Sequence, residues 1–216
     1  MLIEYKGYRI FAFSDTHGMC RRLTVPSDAD TLICAGDACE GFNPAGLKDF
    51  LEWYLAILAK LRIFVPGNHG RIFNTDPTRA RNLVPDGILL LEAEGTESNE
   101  IKFLSVSVRP YHKGPLSLPS DMDFLITHGP TYSYRDRDTG DKNLYLAIVS
   151  ARPQYQIFGL AHEEGLKRKA MLGGTTFHRT SWFRLQIKAF VLPKLGKLIL
   201  VLGLDVESPA NNAIFV

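Results

Sequence analysis

The distribution of apolar and polar residues along the chain predicts alternating strands and helices. Five short runs are almost wholly apolar, which is typical of strands that are buried on both faces. They occupy residues 10–13, 31–35, 61–65, 123–127 and 156–158. Polar residues, glycine or proline follow each run, so every one of these strands is expected to end in a loop.

A helical pattern lies between the second and third apolar runs. Within residues 44–60 the apolar side chains recur every three or four positions, as on one face of an amphipathic helix. Asn43 is suited to cap this helix and Pro44 to occupy its first position. Shorter helices are predicted at residues 77–83 and 142–151. Pro153 ends the second of them.

Weaker strand patterns fill much of the remaining sequence. Residues 1–8 predict a short first strand and a turn, while residues 87–92 and 100–108 predict a hairpin around a polar turn at residues 95–99. Further strands are predicted at residues 175–183, 185–190 and 197–201. This alternation defines an α/β protein, but it does not distinguish a sandwich of two sheets from a single doubly wound sheet.

Composition narrows the class of protein. The 216 residues are 45% hydrophobic, which is enough for one sizeable core, and we expect a single domain over residues 1–216. A net charge of +2 gives no support to binding of long nucleic acid or of a membrane surface. No signal-peptide pattern is evident, and the longest apolar run, residues 195–204, is too short to cross a bilayer. Cys20, Cys34 and Cys39 match no zinc motif and are typical of reduced thiols in a cytoplasmic protein.

Candidate chemistry is concentrated where the five apolar runs end. Carboxylate, amide or imidazole side chains follow every run, in the order Asp15 and His17, Asp37, Asn68 and His69, His128, and His162. Each of them alone has an ordinary explanation as a turn or surface residue. Because ligands bind at the carboxyl ends of strands in α/β sheets, five such ends would bring these side chains to one rim.

The residue types at this rim favour a metal site. Two carboxylates, one amide oxygen and three imidazoles suit Mn²⁺, Fe or Zn²⁺ better than Ca²⁺, which prefers oxygen ligands alone. A structural zinc site would favour thiolates instead. A shared carboxylate can bridge two ions, and two metals about 3.5–4 Å apart are suited to in-line displacement at phosphorus.

The order of these motifs resembles that of the calcineurin-like metallophosphoesterases. Five motifs carry the resemblance: Asp15-x-His17, Gly36-Asp37, Gly67-Asn68-His69, His128-Gly129 and Gly159-x-x-His162. The segments VPSDAD, THGP and RPQYQIFGLAHEEG are most similar to the 239AB, or MPPED-type, branch. The resemblance covers roughly residues 8–180 and leaves the segment after about residue 183 unmatched. It implies a four-layer αββα sandwich, in which two mixed sheets lie between layers of helices.

The resemblance also implies a first metal site with a shared ligand. Asp15, His17 and His162 would hold the first metal, and Asp37 would bridge it to a second. The family pattern implies two divalent ions in total. Mn²⁺ is the leading candidate, with Fe and Zn²⁺ as alternatives.

The implied second site departs from the family pattern. Asn68, through its amide oxygen, and His128 would hold the second metal, and His69 would donate a proton to the leaving oxygen. Leu160 stands where the family usually has another histidine ligand, so the second ion should bind more weakly, although some MPPED-type members also lack this histidine. Gly70 stands where the family has the acid that orients the catalytic imidazole, and losing such a partner can lower activity by about tenfold or more.

These features lead to a metal-dependent phosphoesterase as the leading hypothesis. Small phosphodiesters such as cyclic nucleotides would be the substrates, and a metal-activated hydroxide would attack phosphorus, with activity reduced by the changes at Leu160 and Gly70. The alternative is a low-activity scaffold or sensor that binds a metal or a nucleotide. A nuclease ranks third, because the chain lacks a basic stripe. The candidates to grip a phosphate are four arginines: Arg71, Arg79, Arg81 and Arg109.

Overall fold

Two β-sheets pack face to face, and helices cover their outer faces. The computed structural model describes residues 1–106, 114–132 and 140–160 with their side chains, and the backbone of four further strands between residues 169 and 203. Within these described segments, no helix combines the length and the apolar character that a membrane span requires.

The first sheet is built from the first 90 residues. Its five strands are β1 (Leu2–Tyr5), β2 (Tyr8–Phe13), β3 (Thr31–Cys34), β4 (Leu61–Phe64) and β5 (Leu89–Leu90). They lie side by side in that order, with β1 antiparallel to β2 and every other neighbouring pair parallel. Phe13 pairs with Cys34, and Cys34 with Phe64, so β2, β3 and β4 end at the same level.

The second sheet follows along the chain. Its six strands are β6 (Gly95–Ser98), β7 (Ile101–Ser105), β8 (Phe124–Thr127), β9 (Tyr155–Phe158), β10 (Lys169–Leu172) and β11 (Thr175–Arg179). The spatial order is β10-β11-β9-β8-β7-β6, parallel in the centre and antiparallel at both edges. Thr127 pairs with Phe158, so β8 and β9 also end at the same level. Two more strands, β12 (Gln186–Val191) and β13 (Leu198–Gly203), pair with each other.

Alternate residues of the central strands enter different cores. Ile10, Ile33 and Ile63 of the first sheet meet Phe124 and Ile157 of the second in the central cluster between the sheets. Their sequence neighbours point the other way, because successive side chains of a strand lie on opposite faces. Both faces of these strands are therefore buried, which explains why the sequence shows uninterrupted apolar runs and no alternation.

The described residues contain four α-helices and one 3-10 helix. The α-helices are α1 (Pro44–Ala56), α2 (Ile72–Thr75), α3 (Pro77–Leu83) and α4 (Lys142–Ala151), and the 3-10 helix is Cys20–Arg22. α1, α2 and α3 contribute buried side chains to the core on the outer face of the first sheet. α4 packs Leu144, Ile148 and Ala151 against Leu125 and Phe158 on the outer face of the second sheet. The four-layer αββα sandwich implied by the family resemblance is thus confirmed.

Helix starts follow the sequence prediction closely. Oδ1 of Asn43 accepts a hydrogen bond from the backbone N–H of Gly46 at 2.9 Å, and Pro44 occupies the first position of α1. α3 and α4 span the predicted residues. α1 ends at Ala56, four residues before the predicted end, because Ile57 is extended and Leu58 is 84% exposed.

One strand pairing was predicted wrongly. The expected hairpin of residues 87–92 with residues 100–108 is absent from these described segments, because β5 pairs with β4 in the first sheet. β7 instead pairs with β6, which occupies residues that the sequence indicated as a turn. Gly95–Ser98 forms an exposed sheet edge, and an edge strand needs no apolar pattern. The short helix α2 and the strand β10 were also not predicted.

Candidate metal centre

The candidate centre lies where the carboxyl ends of both sheets meet. The loops after β2 and β3 run side by side: the N–H of Asp15 donates to the carbonyl of Gly36 at 2.9 Å, and that of His17 donates to the carbonyl of Asp37 at 3.0 Å. The loops after β8 and β9 are joined in the same way, because the N–H of Gly159 donates to the carbonyl of His128 at 3.1 Å. The predicted rim is therefore shared by two sheets.

Asp15, Asp37 and His128 form a fully buried group of donor atoms at this rim. Each side chain offers one atom, and the three atoms lie within 4.8 Å of one another. Asp15 and Asp37 come from the first sheet and His128 from the second. A buried group with two carboxylates and one imidazole is suited to bind a divalent cation.

A second group of donors contains His17, Asp37 and His69, again within 4.8 Å of one another. Asp37 belongs to both groups, but neither group equals an implied ligand set. The first group joins Asp15 of the implied first site to His128 of the second, and this second group contains His69, the implied proton donor. The edge-to-face rings of His17 and His69 have centroids 5.1 Å apart. His69 is 42% exposed, whereas the other two side chains are largely buried, so His69 lies on the solvent side of the centre.

The ring of His128 indicates that the centre favours a positive charge. Its Nδ1 lies 2.8 Å from the carbonyl oxygen of Ala35 and donates to it, since a carbonyl can only accept. Its Nε2 lies 2.8 Å from Oδ1 of Asn68 and 3.1 Å from Oδ2 of Asp37. Neutral His128 would therefore direct a lone pair at two oxygen acceptors. A proton or a metal ion between these three atoms removes the conflict.

The pKa shifts of this pair agree with that interpretation. Burial alone would lower the pKa of His128, but Asp37 and Asp15 outweigh burial and raise it. Burial alone would raise the pKa of Asp37, but His128 and the backbone N–H of His69 lower it. Oδ2 of Asp37 is nevertheless buried without a well-aligned hydrogen bond. The donors therefore fit a divalent cation, which can replace the proton on His128.

Three glycines let the backbone approach these side chains closely. A β-carbon on Gly36 would lie 2.3 Å from Nδ1 of His128, and one on Gly67 would lie 2.1 Å from Oδ1 of Asp37. A β-carbon on Gly159 would lie 2.8 Å from Oδ2 of Asp15. The glycines of three motifs are thus required because any side chain would collide with a candidate ligand.

Three candidate ligands adopt the left-handed backbone conformation that non-glycine residues rarely occupy. The φ angles of Asp15, His17 and Asp37 are 57°, 45° and 51°. Each such residue costs free energy, and this cost is typical of functional sites whose surroundings hold the strained conformation in place.

The Asp15 carboxylate accepts hydrogen bonds from donors in the segments that follow β2 and β9. Oγ of Ser14 donates to Oδ2 at 2.5 Å, and the backbone N–H of Leu160 lies 3.2 Å from the same oxygen. Leu160 therefore lies at the centre, where its alkyl side chain offers no ligand atom. His162 lies outside the described residues.

The four candidate arginines lie in different surroundings. Arg71 and Arg79 are exposed. Arg81 pairs with Glu92 and Glu94 at 3.2 Å and 3.3 Å, which favours a structural role for it. Arg109 lies outside the described residues.

The sequence analysis missed Glu40. This residue follows Asp37 by three positions, and its carboxylate lies between two imidazoles: Oε1 is 2.6 Å from Nδ1 of His17 and Oε2 is 2.7 Å from Nδ1 of His69. The sequence offered one signal, which is an acidic residue three positions after the Asp of the Gly36-Asp37 motif. Such an acid is common in surface loops, and the His69 contact depends on tertiary structure.

Residues 8–163 match the family model for calcineurin-like phosphoesterases. The chain therefore belongs to the calcineurin-like phosphoesterase family. Its curated relatives include UPF0046 protein K07C11.7 of Caenorhabditis elegans, which is 26% identical over 186 residues, covering 72% of this chain and 64% of that protein. Metallophosphoesterase domain-containing protein 1 of Homo sapiens is 25% identical over 202 residues, covering 73% of this chain and 61% of that protein.

These relatives confirm the resemblance to the MPPED-type branch. The chain spans less than two thirds of the length of either relative. Among solved structures, TT1561 of Thermus thermophilus has a similar fold, with a TM-score of 0.57 over 79% of this chain and 87% of that chain. The sequence identity is 14%, so this similarity concerns the fold alone.

Proposed function

We propose that this member of the family hydrolyses small phosphodiesters in a metal-dependent reaction, with cyclic nucleotides as the first substrates to test. The carrying observation is the position of buried Asp37, whose carboxylate lies close to proposed ligands of both ions: Asp15 and His17 of the first, and His128 of the second. A carboxylate placed in this way is suited to bridge two cations, and two cations are suited to phosphoryl transfer.

Every proposed ligand except His162 lies in a loop that the structure describes. Asp15, His17 and Asp37, together with His162, are the proposed ligands of the first ion. The proposed ligands of the second ion are Asp37, the amide oxygen of Asn68 and Nε2 of His128. We propose Mn²⁺ for both positions, with Fe and Zn²⁺ as alternatives, because the donors mix hard oxygen with imidazole nitrogen.

The residues around the ions would orient the substrate and move one proton. Divalent ions supply a nucleophile at neutral pH and neutralise charge that develops on the phosphoryl oxygens. His69 is the exposed member of the centre, so substrate would approach from its side, with its imidazole as the proton donor to the leaving oxygen. Arg71, exposed and next to Gly70, is the proposed phosphate-binding arginine.

The net charge of the chain favours a small substrate over long nucleic acid. A net charge of +2 provides little of the electrostatic attraction on which binding of a polyanion depends. All three cysteines are unpaired and buried, which suits a reducing compartment, and we propose the cytoplasm.

The proposal is tested by hydrolysis of bis(4-nitrophenyl) phosphate and of 3′,5′-cyclic AMP after removal of metals and addition of Mn²⁺. We expect turnover to depend on the metal, and Asp37→Asn to lower kcat/KM at least about a hundredfold, since it removes a ligand and a charge shared by both ions. Asp121→Asn, an exposed change in the turn before β8, is the matched control. Absence of metal-dependent turnover in the unaltered protein would contradict the proposal.

Metal binding is also measurable without turnover. A ligand that binds only the folded state stabilises it by RT ln(1 + [L]/Kd), or about 2.7 kcal/mol at a hundredfold excess over Kd. We expect Mn²⁺ to raise the thermal unfolding temperature of the unaltered protein and to leave that of Asp37→Asn almost unchanged. Equal shifts in both proteins would place the metal elsewhere.

A second candidate function is a weakly active scaffold or sensor that binds a metal or a nucleotide. Leu160 favours it, because this residue lies at the centre and supplies no ligand. Its φ of 62° suits histidine better than leucine, so Leu160→His should be tolerated. We expect Leu160→His to tighten binding of the second ion and raise turnover, and Leu160→Ala to do neither. High turnover in the unaltered protein would exclude the scaffold.

A further inference from the structure

Three fully buried side chains form a chain of hydrogen bonds beside the loop that carries His128. The Thr131 hydroxyl donates to Oε1 of Gln156 at 2.6 Å, and Nε2 of Gln156 donates to Oγ1 of Thr127 at 3.0 Å. The Thr127 hydroxyl donates in turn to the carbonyl of Gly129 at 2.8 Å. Because a carbonyl can only accept, the direction of every bond in this chain is fixed.

This chain of hydrogen bonds brackets a candidate ligand. Thr127 is the last residue of β8 and directly precedes His128, whereas Thr131 follows His128 by three positions. Gln156 lies on the neighbouring strand β9 and bonds to both threonines. A single side chain of the second sheet therefore ties together the two ends of segment 127–131, which contains His128.

The imidazole of His128 is held from the other side, by the first sheet. Its Nδ1 donates to the Ala35 carbonyl at 2.8 Å, and its Nε2 lies 2.8 Å from Oδ1 of Asn68. The backbone of His128 continues β8, so its position depends on the second sheet. We propose that Gln156 is a positioning residue, which holds segment 127–131 in the conformation that presents Nε2 of His128 to the second ion.

The position of Gln156 in the core supports this role. By strand alternation it shares a face of β9 with Phe158, which packs in the apolar core beneath α4, and it pairs in register with Leu125 of the same core. Burial of an amide costs free energy unless its hydrogen bonds are made. An apolar residue would fill this position without that cost, so the amide is better explained by the segment it holds than by packing.

A network that serves stability alone is the competing explanation. Breaking such a network would affect His128 only as far as it weakens the whole fold. A positioning residue predicts instead that His128 loosens even where stability is preserved. The proposal rests on the proposed function, because His128 needs a defined position only where it binds an ion.

Two variants and a control separate these explanations. Gln156→Met alone leaves the buried Thr131 hydroxyl without its acceptor and should lower the thermal unfolding temperature. Adding Thr131→Val removes that hydroxyl while Thr127 still donates to Gly129, so this double variant should regain most of the lost stability. Thr31→Val is the control, because it removes a buried hydroxyl at the amino end of β3, opposite the centre.

The first test follows the hydrogen on Nδ1 of His128 by nuclear magnetic resonance in the protein without metal. This hydrogen is buried and bonded to the Ala35 carbonyl, so it should exchange slowly with solvent. We expect exchange at least about tenfold faster in the double variant, because segment 127–131 opens locally, and no change in Thr31→Val. Unchanged exchange in the double variant would overturn the proposal.

The second test measures Mn²⁺ binding by isothermal titration calorimetry. Loss of a residue that orients a metal ligand typically weakens metal binding about 10- to 100-fold. We expect the double variant to bind the second ion at least about tenfold more weakly and the first ion within about threefold of the unaltered protein, since His128 is a proposed ligand of the second ion alone. Equal weakening of both ions would indicate a general loss of structure and reject the positioning role.

The proposed function and the role of Gln156 fail in different ways. If the unaltered protein binds no Mn²⁺ and hydrolyses no phosphodiester, the proposed function is contradicted, and exchange of the His128 hydrogen still decides whether Gln156 holds that residue. If the unaltered protein and the double variant both bind two ions with the same affinities, the proposed function stands and the role of Gln156 is rejected.

Discussion

Gly67 lies against the carboxylate that the two donor groups share. A β-carbon at this position would lie 2.1 Å from Oδ1 of Asp37, so Gly67→Ala must displace that carboxylate or its loop. We expect Mn²⁺ to bind this variant at least about tenfold more weakly, as measured by isothermal titration calorimetry, which corresponds to about 1.4 kcal/mol.

The control for this prediction is Gly95→Ala on the edge strand β6. A β-carbon on Gly95 would lie 3.4 Å from Cδ1 of Leu104 and 3.4 Å from the carbonyl oxygen of Phe103, which is close to ordinary contact. This control should bind Mn²⁺ like the unaltered protein. Wild-type affinity in Gly67→Ala would contradict the steric argument.

Single residues divide into those that local sequence indicates and those that it does not. Asp15 and Asp37 could be predicted as candidates, because each directly follows an apolar run. The position of Glu40 at the centre could not, because its contact with His69 joins two loops that are separate in sequence. The need for glycine at position 67 also becomes visible only when the neighbouring loop is in place.

At the scale of elements, α4 ends at a strained residue. Arg152 follows the helix with a φ of 54°, and its N–H donates to the carbonyl of Ile148 at 2.8 Å. Glycine adopts this conformation without the steric cost of a β-carbon. We expect Arg152→Gly to raise the free energy of unfolding by about 0.5–1 kcal/mol, as measured by urea denaturation.

Arg152→Ala is the matched control, because it removes the same exposed side chain and keeps the β-carbon. It should give no comparable gain. Equal stabilisation by both substitutions would show that loss of the arginine side chain, and not relief of the backbone, is the cause.

Elements were predicted well where their signals are local. The cap at Asn43 and the proline at position 44 define the start of α1 through contacts within one turn of helix. The pairing partner of residues 87–92 was predicted wrongly, because strand pairing depends on the whole fold. β5 pairs with β4, in the sheet whose other strands precede it in sequence. The polar strand β6 was missed because an exposed edge requires no apolar residues.

At the scale of the whole molecule, Asp123 connects the two sheets at the end opposite the candidate centre. Its carboxylate accepts a 2.5 Å hydrogen bond from the Tyr5 hydroxyl and a 2.8 Å hydrogen bond from the N–H of Lys102, with Lys6 nearby. Burial alone would raise the pKa of Asp123, but these partners lower it. Burial, together with Asp123, raises the pKa of Tyr5 to about 12.

We expect Tyr5→Phe to lower the free energy of unfolding by about 1–2 kcal/mol at pH 7, because it removes a hydrogen bond to a charged group. The folded pKa of Asp123 lies below its unfolded value, so this contribution is full above the unfolded pKa and is lost as pH falls through the folded one. The folded pKa of Tyr5 is raised, so its contribution is lost as pH rises toward about 12.

Guanidinium denaturation of the unaltered protein and of Tyr5→Phe between pH 2 and pH 11 measures how their stability difference depends on pH. The stability difference should be constant near neutral pH and shrink at both extremes. In the background of Asp123→Asn, Tyr5→Phe should cost much less at pH 7. A difference that does not vary with pH would indicate lost packing of the hydroxyl and not a hydrogen bond to the carboxylate.

The layer arrangement could be inferred from the sequence only through family resemblance. The apolar runs identify strands such as β3 and β8 as buried on both faces, and single doubly wound sheets have the same property. What separates the two folds is whether Ile33 and Phe124 lie in neighbouring strands or in facing sheets. No local pattern encodes that distinction.

The division of the centre between two sheets has a consequence for how this protein can be inherited and recombined. The first 90 residues carry Asp15, His17, Asp37, Asn68 and His69, whereas His128 belongs to the other sheet. Genetic exchange of either half as a module would separate His128 from Asp37 and from the Ala35 carbonyl that orients its ring. Metal binding therefore depends on the alignment of the two halves, and a chimaera of two distant relatives joined near residue 92 should fold more readily than it binds metal.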